Sequence, residues 1–381
     1  MLLVKASSEF VICGRPYEGF PILLHDSMAS CIPANEFLRH YLFRGAIGSR
    51  RSWDSTGRAL YDYFGFLQAH DLDWPETKRH ENASLIAVYR DYSLSTIGLA
   101  RSTVNQRLLY ICEFYNYAHA QQWIERLPFS FEARRLRAPR TGFRAHAQAG
   151  NRTKLVRDVS LKVRRNSPKF LSMEQVKELL GAATNPHHRM IVRLAVQTGL
   201  RREELATFPV AYVVNPIRVN VADRNIRVHL DPRDGNGMRC KGDKARDIFI
   251  GRSLMSALHH YVVHTRGERG SLSQVKQSHL FLNHRGEPFA ADGKRLERIV
   301  RDLGRRVGIR VHPHMLRHTY ATHTLSAMQR AEAGIDPLVY LQRQLGHASI
   351  QTTMVYLHLV NERAERAVLA YDDELNGWMD A

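Results

Sequence analysis

The sequence predicts a mainly α-helical protein with a small antiparallel β-sheet, built as two folded regions joined by a basic segment. Three observations predict it. Apolar residues recur every three or four positions over 52–123 and again over 173–195, the repeat of amphipathic helices. Between those stretches, residues 133–165 carry eleven basic residues against one acid, a composition that favours solvation over burial. Farther on, Ile226, Val228 and Leu230 alternate with polar residues, and Ile248 and Ile250 do so beyond a turn-rich stretch, Asp231 to Gly242. That is the period-two pattern of half-buried strands. The 381 residues allow two or three domains at roughly 100–200 residues each.

Taken in order, residues 1–45 read as short extended pieces broken at Gly14-Arg15-Pro16 and Gly19-Phe20-Pro21, with no role assigned. A small helical domain is expected over 46–132. Leu60, Tyr63, Phe64 and Leu67 share one helix face, and Val104, Leu108, Ile111, Tyr115 and Ala118 share another, with Ser102 as the expected N-cap. The aromatic residues here are read as core rather than as platforms for stacked bases. The segment 133–166 is expected to be an interdomain linker. Its Arg134, Arg135, Arg137, Arg140, Arg144, Arg164 and Arg165 are candidates to lie along phosphates, because neutralising phosphates releases counterions. From 167 to 381 a second domain is expected, with helices on both sides of the β segment. Its last helix is expected over Asn361–Met379, with an apolar knob of Leu375, Trp378 and Met379, and the chain beyond His358 carries two arginines against six acids.

Charge narrows the partners. Lys and Arg number 55 against 37 Asp and Glu, a net charge of +18, and such a surplus attracts polyanions, nucleic acid first. An anionic membrane surface would call for a basic amphipathic helix or a lipidation motif, and neither is present. No apolar run approaches the ~18 residues of a membrane span, and no secretory leader is expected. The four scattered cysteines, Cys13, Cys31, Cys112 and Cys240, show no CxxC spacing. They fit a reducing cytoplasm, where the chain would sit on nucleoid DNA.

Four stretches of the second domain concentrate polar residues that a core alone would not want. In Thr198-Gly199-Leu200-Arg201-Arg202-Glu203-Glu204 the glycine ends one helix, and Arg201 opens the next with Glu204 at i+3. Lys241-Gly242-Asp243-Lys244 stands in the turn before a strand. In His312-Pro313-His314-Met315-Leu316-Arg317-His318, Pro313 suits a first helical turn and places His314 and Arg317 on one face. Leu345-Gly346-His347-Ala348-Ser349 precedes Thr352, Thr353 and Tyr356, with Ser349 as the expected cap of the helix bearing Tyr356.

In this order and spacing, from Phe170 to His358, the stretches resemble the catalytic domain of the tyrosine recombinases, the phage-integrase family. The resemblance implies a two-domain DNA clamp whose helical region, by position alone, is the SAM-like core-binding domain. It implies that Arg201 and Arg317 clamp a scissile phosphate, guanidinium being a permanent cation with paired donors. It further implies that His314 and His347 add hydrogen bonds and move protons, that Lys241 is the general acid, and that Tyr356 is the nucleophile forming a 3′-phosphotyrosine. Glu204 would support Arg201. Duplex DNA is then the partner, and a homotetramer on two duplexes works through a Holliday junction, with the last helix docked at home or given to a neighbour. No metal or other cofactor is implied; arginines among the histidines oppose a divalent ion. Integration or excision of a mobile element is the implied setting.

Lys244 competes with Lys241 for the acid role. His318 is read as structural, pointing elsewhere on its helix. The long stretch between Arg201 and Lys241, and Ala206-Thr207-Phe208-Pro209 in place of the family's usual turn, put the hairpin geometry in question. Two other functions stand beside recombination: relaxation of DNA in the manner of a type IB topoisomerase, and a sequence-specific DNA-binding regulator with a silent site.

Overall fold

The computed structural model describes residues 1–44, 51–76, 84–135, 153–163, 167–218, 225–331, 335–357 and 360. The chain divides into two compact units, Met1–Arg165 and Asn166–Ala381.

The first unit begins with four short strands, β1 (Leu2–Lys5), β2 (Val11–Ile12), β3 (Arg15–Pro16) and β4 (Pro21–Leu24), paired β1 with β4 and β2 with β3, both antiparallel. Helices α1 (Ile32–Leu42), α2 (Arg51–Ala69), α3 (Leu85–Ser95) and α4 (Arg101–Ala120) follow. The expected faces of α2 and α4 are buried as expected: Leu60, Tyr63, Phe64 and Leu67 on one, Val104, Leu108, Ile111, Tyr115 and Ala118 on the other. The N-cap of α4 is Ala100, not Ser102, so the helix starts earlier than its capping signal indicates. Residues 1–44 are more than extended pieces. Phe20, Leu23, Phe37 and Leu38 enter the same core as α2 and α4. The buried Asn35 amide accepts from Leu23 N at 2.8 Å and donates to Leu23 O at 2.7 Å, standing in for a further strand beside β4.

The expected linker also differs at both flanks. Strands β5 (Phe131–Arg135) and β6 (Thr153–Arg157) pair antiparallel, Phe131 opposite Arg157 and Arg135 opposite Thr153. Beyond β6, Val159 joins the first unit's core, and the Asn105 amide holds the Leu161 backbone through two contacts of 2.8 Å. Arg157 turns inward, to Glu113 and over the Phe129 ring at 5.7 Å.

The second unit opens with α5 (Met173–Ala182), capped by Ser172 and Gln175 in a reciprocal capping box. Next come α6 (Pro186–Thr198) and the short α7 (Arg202–Ala206), then strands β7 (Asn225–Leu230) and β8 (Arg246–Gly251), paired antiparallel with Leu230 opposite Arg246. Ile226, Val228, Leu230, Ile248 and Ile250 all face the core. The long loop between the strands is pinned to the body. Tyr212 Oη donates to Asp234 Oδ2 at 2.6 Å and accepts from Asp231 N at 3.1 Å, while Met238 and Cys240 are buried. The hairpin therefore forms despite its unusual loop. Helices α8 (Arg252–His264), α9 (Arg266–Gly270), α10 (Lys294–Arg306), α11 (Pro313–Arg330) and α12 (Pro337–Leu345) follow, and α13, at 350–357, is the last among the described residues. Among the described residues no helix is long and apolar enough to cross a membrane.

Candidate active site

Two glycines in the left-handed region shape the site. Gly199 caps α6 at φ +65° and Gly346 caps α12 at φ +64°, conformations that a side chain opposes. At Gly199 space forbids one as well, since a Cβ would fall 2.6 Å from Tyr320 and 2.8 Å from Leu345. These caps leave carbonyls at the ends of two helices, and arginines take them. Arg317, on α11 and 1% exposed, donates from Nη1 to Gly199 O at 2.7 Å and from Nη2 to Leu345 O at 2.6 Å. Arg201, at the N-cap of α7, donates from Nη2 to Gly346 O at 2.9 Å. The two guanidinium groups thus grip consecutive carbonyls at the C-terminus of α12. Burial, with Arg201 nearby, pushes Arg317 down to about 9, which leaves it protonated at neutral pH.

Glu204 is wholly buried on α7. It accepts from Arg201 N at 2.7 Å and Arg201 Nη1 at 3.0 Å, and its two oxygens take the fork of Arg246 at 2.7 and 2.8 Å. Burial alone raises a carboxyl pKa, but Arg246 and Arg201 outweigh it and hold Glu204 at about 2.

Ser349 Oγ accepts from Gln351 N at 3.2 Å and starts α13, as expected. Two turns on, Tyr356 is 2% exposed among Ala321, Leu325, Leu341 and Leu345. Its ring lies nearly parallel to His347, centroids 6.3 Å apart, and its hydroxyl meets His318 Nδ1 at 2.9 Å. Burial raises the phenol while Arg317 and Arg201 pull it down, leaving it above its ordinary value. A proton acceptor must therefore assist any attack by this oxygen. His347 Nδ1 contacts Thr353 Oγ1 at 3.0 Å, which leaves Nε2 for a substrate. Burial and then the arginines push His347 down to about 3, and burial with His314 and Arg317 takes His318 to about 4. His314 shifts the same way through desolvation and the charges of Arg317, His312, Arg201 and Lys241. With its surface open to solvent, the charges are the firmer cause. At pH 7 the rings of His347 and His318 are neutral.

The reading of His318 as pointing elsewhere is corrected. It stands at i+4 from His314, so both rings share a helix face, with centroids 4.4 Å apart. Exposed Lys241 lies in a 3-10 turn, Lys241–Asp243, near enough for its charge to act on His314. Arg134 and Arg135 lie on β5, whereas Arg137, Arg140, Arg144, Arg164, Arg165 and the expected helix Asn361–Met379 fall outside the described residues. Among the described residues no group of three or more His, Cys, Asp or Glu is placed to hold a metal.

Thr319 and His323, beside these residues, have structural work. Thr319 Oγ1 accepts from Leu171 N at 2.9 Å and donates to Met315 O at 2.8 Å, and His323 Nε2 meets Leu171 O at 2.8 Å. They fasten the entry of the second unit to α11. A groove of about 940 Å³ along α10 is lined by Arg202, Lys294, Arg298, Arg301, Arg305 and Arg310, among others. The sequence reading passed over it. Six basic residues against two acids within Lys294–Arg306 were its visible signal.

The model of the phage integrase family matches residues 169–363, half of the chain. The chain belongs to that family. Similar proteins include tyrosine recombinase XerD of Halalkalibacterium halodurans, 31% identical over 53% of this chain and 61% of the relative. Transposase A from transposon Tn554 of Staphylococcus aureus is 29% identical over 58% of this chain and 56% of its own length. The matched stretch thus spans about 56–61% of these relatives. Among solved structures, XerH site-specific recombinase bound to its difH substrate matches with a TM-score of 0.55 at 17% identity, over 84% of this chain and 80% of that one. The Tn1549 transposon integrase in complex with transposon right end DNA matches at 0.55 and 18%, over 89% and 99%. At these identities the likeness is one of fold.

Proposed function

We propose that this protein is a site-specific recombinase that cuts and rejoins duplex DNA through a 3′-phosphotyrosine on Tyr356. One observation carries the reading: Arg201 and Arg317 grip neighbouring carbonyls, Leu345 O and Gly346 O, and both charges act on the Tyr356 phenol. A phosphate replacing those carbonyls would meet two cations, which suits the extra negative charge of a phosphoryl-transfer transition state. The phenolic oxygen attacks phosphorus and its proton passes to a neutral imidazole, His318 being 2.9 Å away. The bond to the 5′ oxygen breaks, and Lys241 supplies the proton that oxygen needs. His314 and His347 hydrogen-bond the phosphoryl oxygens. Attack of another strand's 5′ hydroxyl on the phosphotyrosine then reverses the chemistry with the bond energy kept.

The DNA-bound state of the fold neighbours supports duplex DNA as the partner. The likeness to the Tn554 transposase and the Tn1549 integrase supports movement of a mobile element. The two units would close on the duplex with the basic residues after β5 and the groove along α10 on phosphates. Four protomers on two duplexes would exchange strands through a Holliday junction, the acidic C-terminal segment passing between neighbours. Tyr356→Phe is expected to keep DNA affinity and lose the covalent adduct on a suicide duplex, read as a denaturant-resistant band. An adduct formed by that variant rules Tyr356 out.

A further inference from the structure

Arg246 opens β8, and the chemistry above leaves it unassigned. Its fork takes both oxygens of Glu204, Nη1 to Oε1 at 2.7 Å and Nη2 to Oε2 at 2.8 Å, and Nε reaches Gln344 O at 3.4 Å. Its stem crosses Gly346, where a Cβ would come within 2.8 Å of Arg246 Cδ. One buried carboxylate therefore carries two guanidinium groups, Arg246 and Arg201. The charge count matters. Were Glu204 paired with Arg201 alone, the pair would be neutral and the clamp would meet a phosphate with one cation fewer. With Arg246 offsetting the carboxylate, Arg201 keeps its full charge, and its Nη2 stays aimed at Gly346 O.

We propose that Arg246 is a positioning residue for the strand-cleavage reaction. It neutralises Glu204 so that Arg201 faces the scissile phosphate as a whole cation. It also ties β8, and with it the turn bearing Lys241, to Gln344 O at the end of α12, next in the chain to the carbonyls that the arginine clamp grips. Methyl-sized crowding at Gly346 would push on this same stem, so Gly346 and Arg246 act as one joint. The inference rests on the proposed role of Arg201 at the phosphate.

The experiment compares Arg246→Met, Arg246→Lys and Arg201→Met in the full chain. Each is assayed for single-turnover cleavage on a suicide duplex carrying either an ordinary scissile diester or an uncharged methylphosphonate there. Melting temperature and DNA affinity are followed alongside. Arg246→Met is expected to slow diester cleavage by about 10–100-fold, the range for supporting residues, with affinity held. On the methylphosphonate, where there is no negative charge to meet, the loss shrinks to a few-fold. Arg246→Lys, which restores charge without the fork, recovers most of the diester rate, and Glu204→Gln added to Arg246→Met recovers part of it. Equal losses on both substrates, or a lysine no better than methionine, would overturn the charge role. So would a wild-type rate for Arg246→Met while Arg201→Met is inactive. If Arg201→Met also cleaves normally, the phosphate clamp itself falls, and the role of Arg246 falls with it.

Discussion

Among the described residues the first unit buries three phenols, Tyr63, Tyr89 and Tyr115, and no ion; the second buries two ions, Glu204 and Arg317. Tyr63 and Tyr115 share a hydrogen bond of 2.6 Å inside a core of rings, with Tyr63 edge-on to Tyr89 at 5.2 Å and Phe64 edge-on to Phe114 at 5.4 Å. Such ring pairs add to burial at little desolvation cost. The second unit buries Glu204 completely and Arg317 to 1% exposure. Buried ion pairs seldom stabilise a fold beyond what apolar residues of the same volume would. Among the described residues no carboxylate bonds Arg317; its hydrogen bonds go to carbonyl oxygens. A protein that needed only stability would not place it there. The comparison teaches that the first unit packs ring against ring, whereas the second keeps a cation in its interior, the charge that the proposed reaction would set against a phosphate.

The largest test of that contrast is Phe114→Ala. Phe114 is fully buried, with Phe37 at 5.8 Å, Phe64 at 5.4 Å and Trp74 at 5.3 Å. Removing it is expected to cost about 3–5 kcal/mol and to bring the first unit's unfolding below the second's as a separate calorimetric transition. One transition that shifts as a whole would show that the two units do not unfold independently.

A smaller change sharpens the view of the second unit. Gly199→Ala imposes a Cβ on a left-handed residue against Tyr320 and Leu345, for roughly 1–3 kcal/mol. Because Gly199 O holds Arg317, cleavage should fall further than the lower melting temperature explains. Gly181→Ala on α5 has nothing within 4 Å of the new Cβ and is expected to be neutral or stabilising by about 0.5–1 kcal/mol. If the two variants behave alike by melting and by cleavage, the cap geometry is irrelevant.

The smallest effect is one of pH. His347 and His318 titrate near 3 and 4 in the folded chain, below the ordinary 6.5. Between those values the unfolded chain binds more protons, so stability falls as pH drops below 6.5 and the loss is complete near 3. Glu204 adds a loss only below its ordinary 4.5, which leaves the window from 6.5 to 4.5 to the histidines. His347→Gln should flatten the fall of the second unit's melting temperature across that window. An unchanged slope would mean that His347 is not held neutral.

Much of this was readable in advance wherever neighbours in the chain decide the outcome. The buried faces of α2 and α4, the Ser349 cap, Pro313 in the first turn of α11 and the glycine caps depend on residues within one or two helical turns. What escaped depends on distance along the chain or on angle around a helix. His318 was misdirected because adjacency to Arg317 was weighed above the i+4 relation to His314. Residues 1–44 gave no sign of joining the core of α2 and α4, since short strands carry little periodicity. The β5–β6 pairing hid behind the basic composition of its flanks. Arg246 lies 42 residues from the carboxylate it grips, and no local pattern reports such a pair.

By itself, then, the sequence determined the helical and strand periods, the surplus of positive charge and the set of arginine, histidine, lysine and tyrosine types in a definite order. Those follow from local sterics and from side-chain chemistry, which each residue carries wherever it goes. Only the tertiary structure decided that the carbonyls of Gly199, Leu345 and Gly346 end up under two guanidinium groups, and that Arg246 offsets Glu204. Those contacts join five elements spread over the second unit, α6, α7, β8, α11 and α12, and they form because packing the core brings buried charges and helix-end carbonyls together.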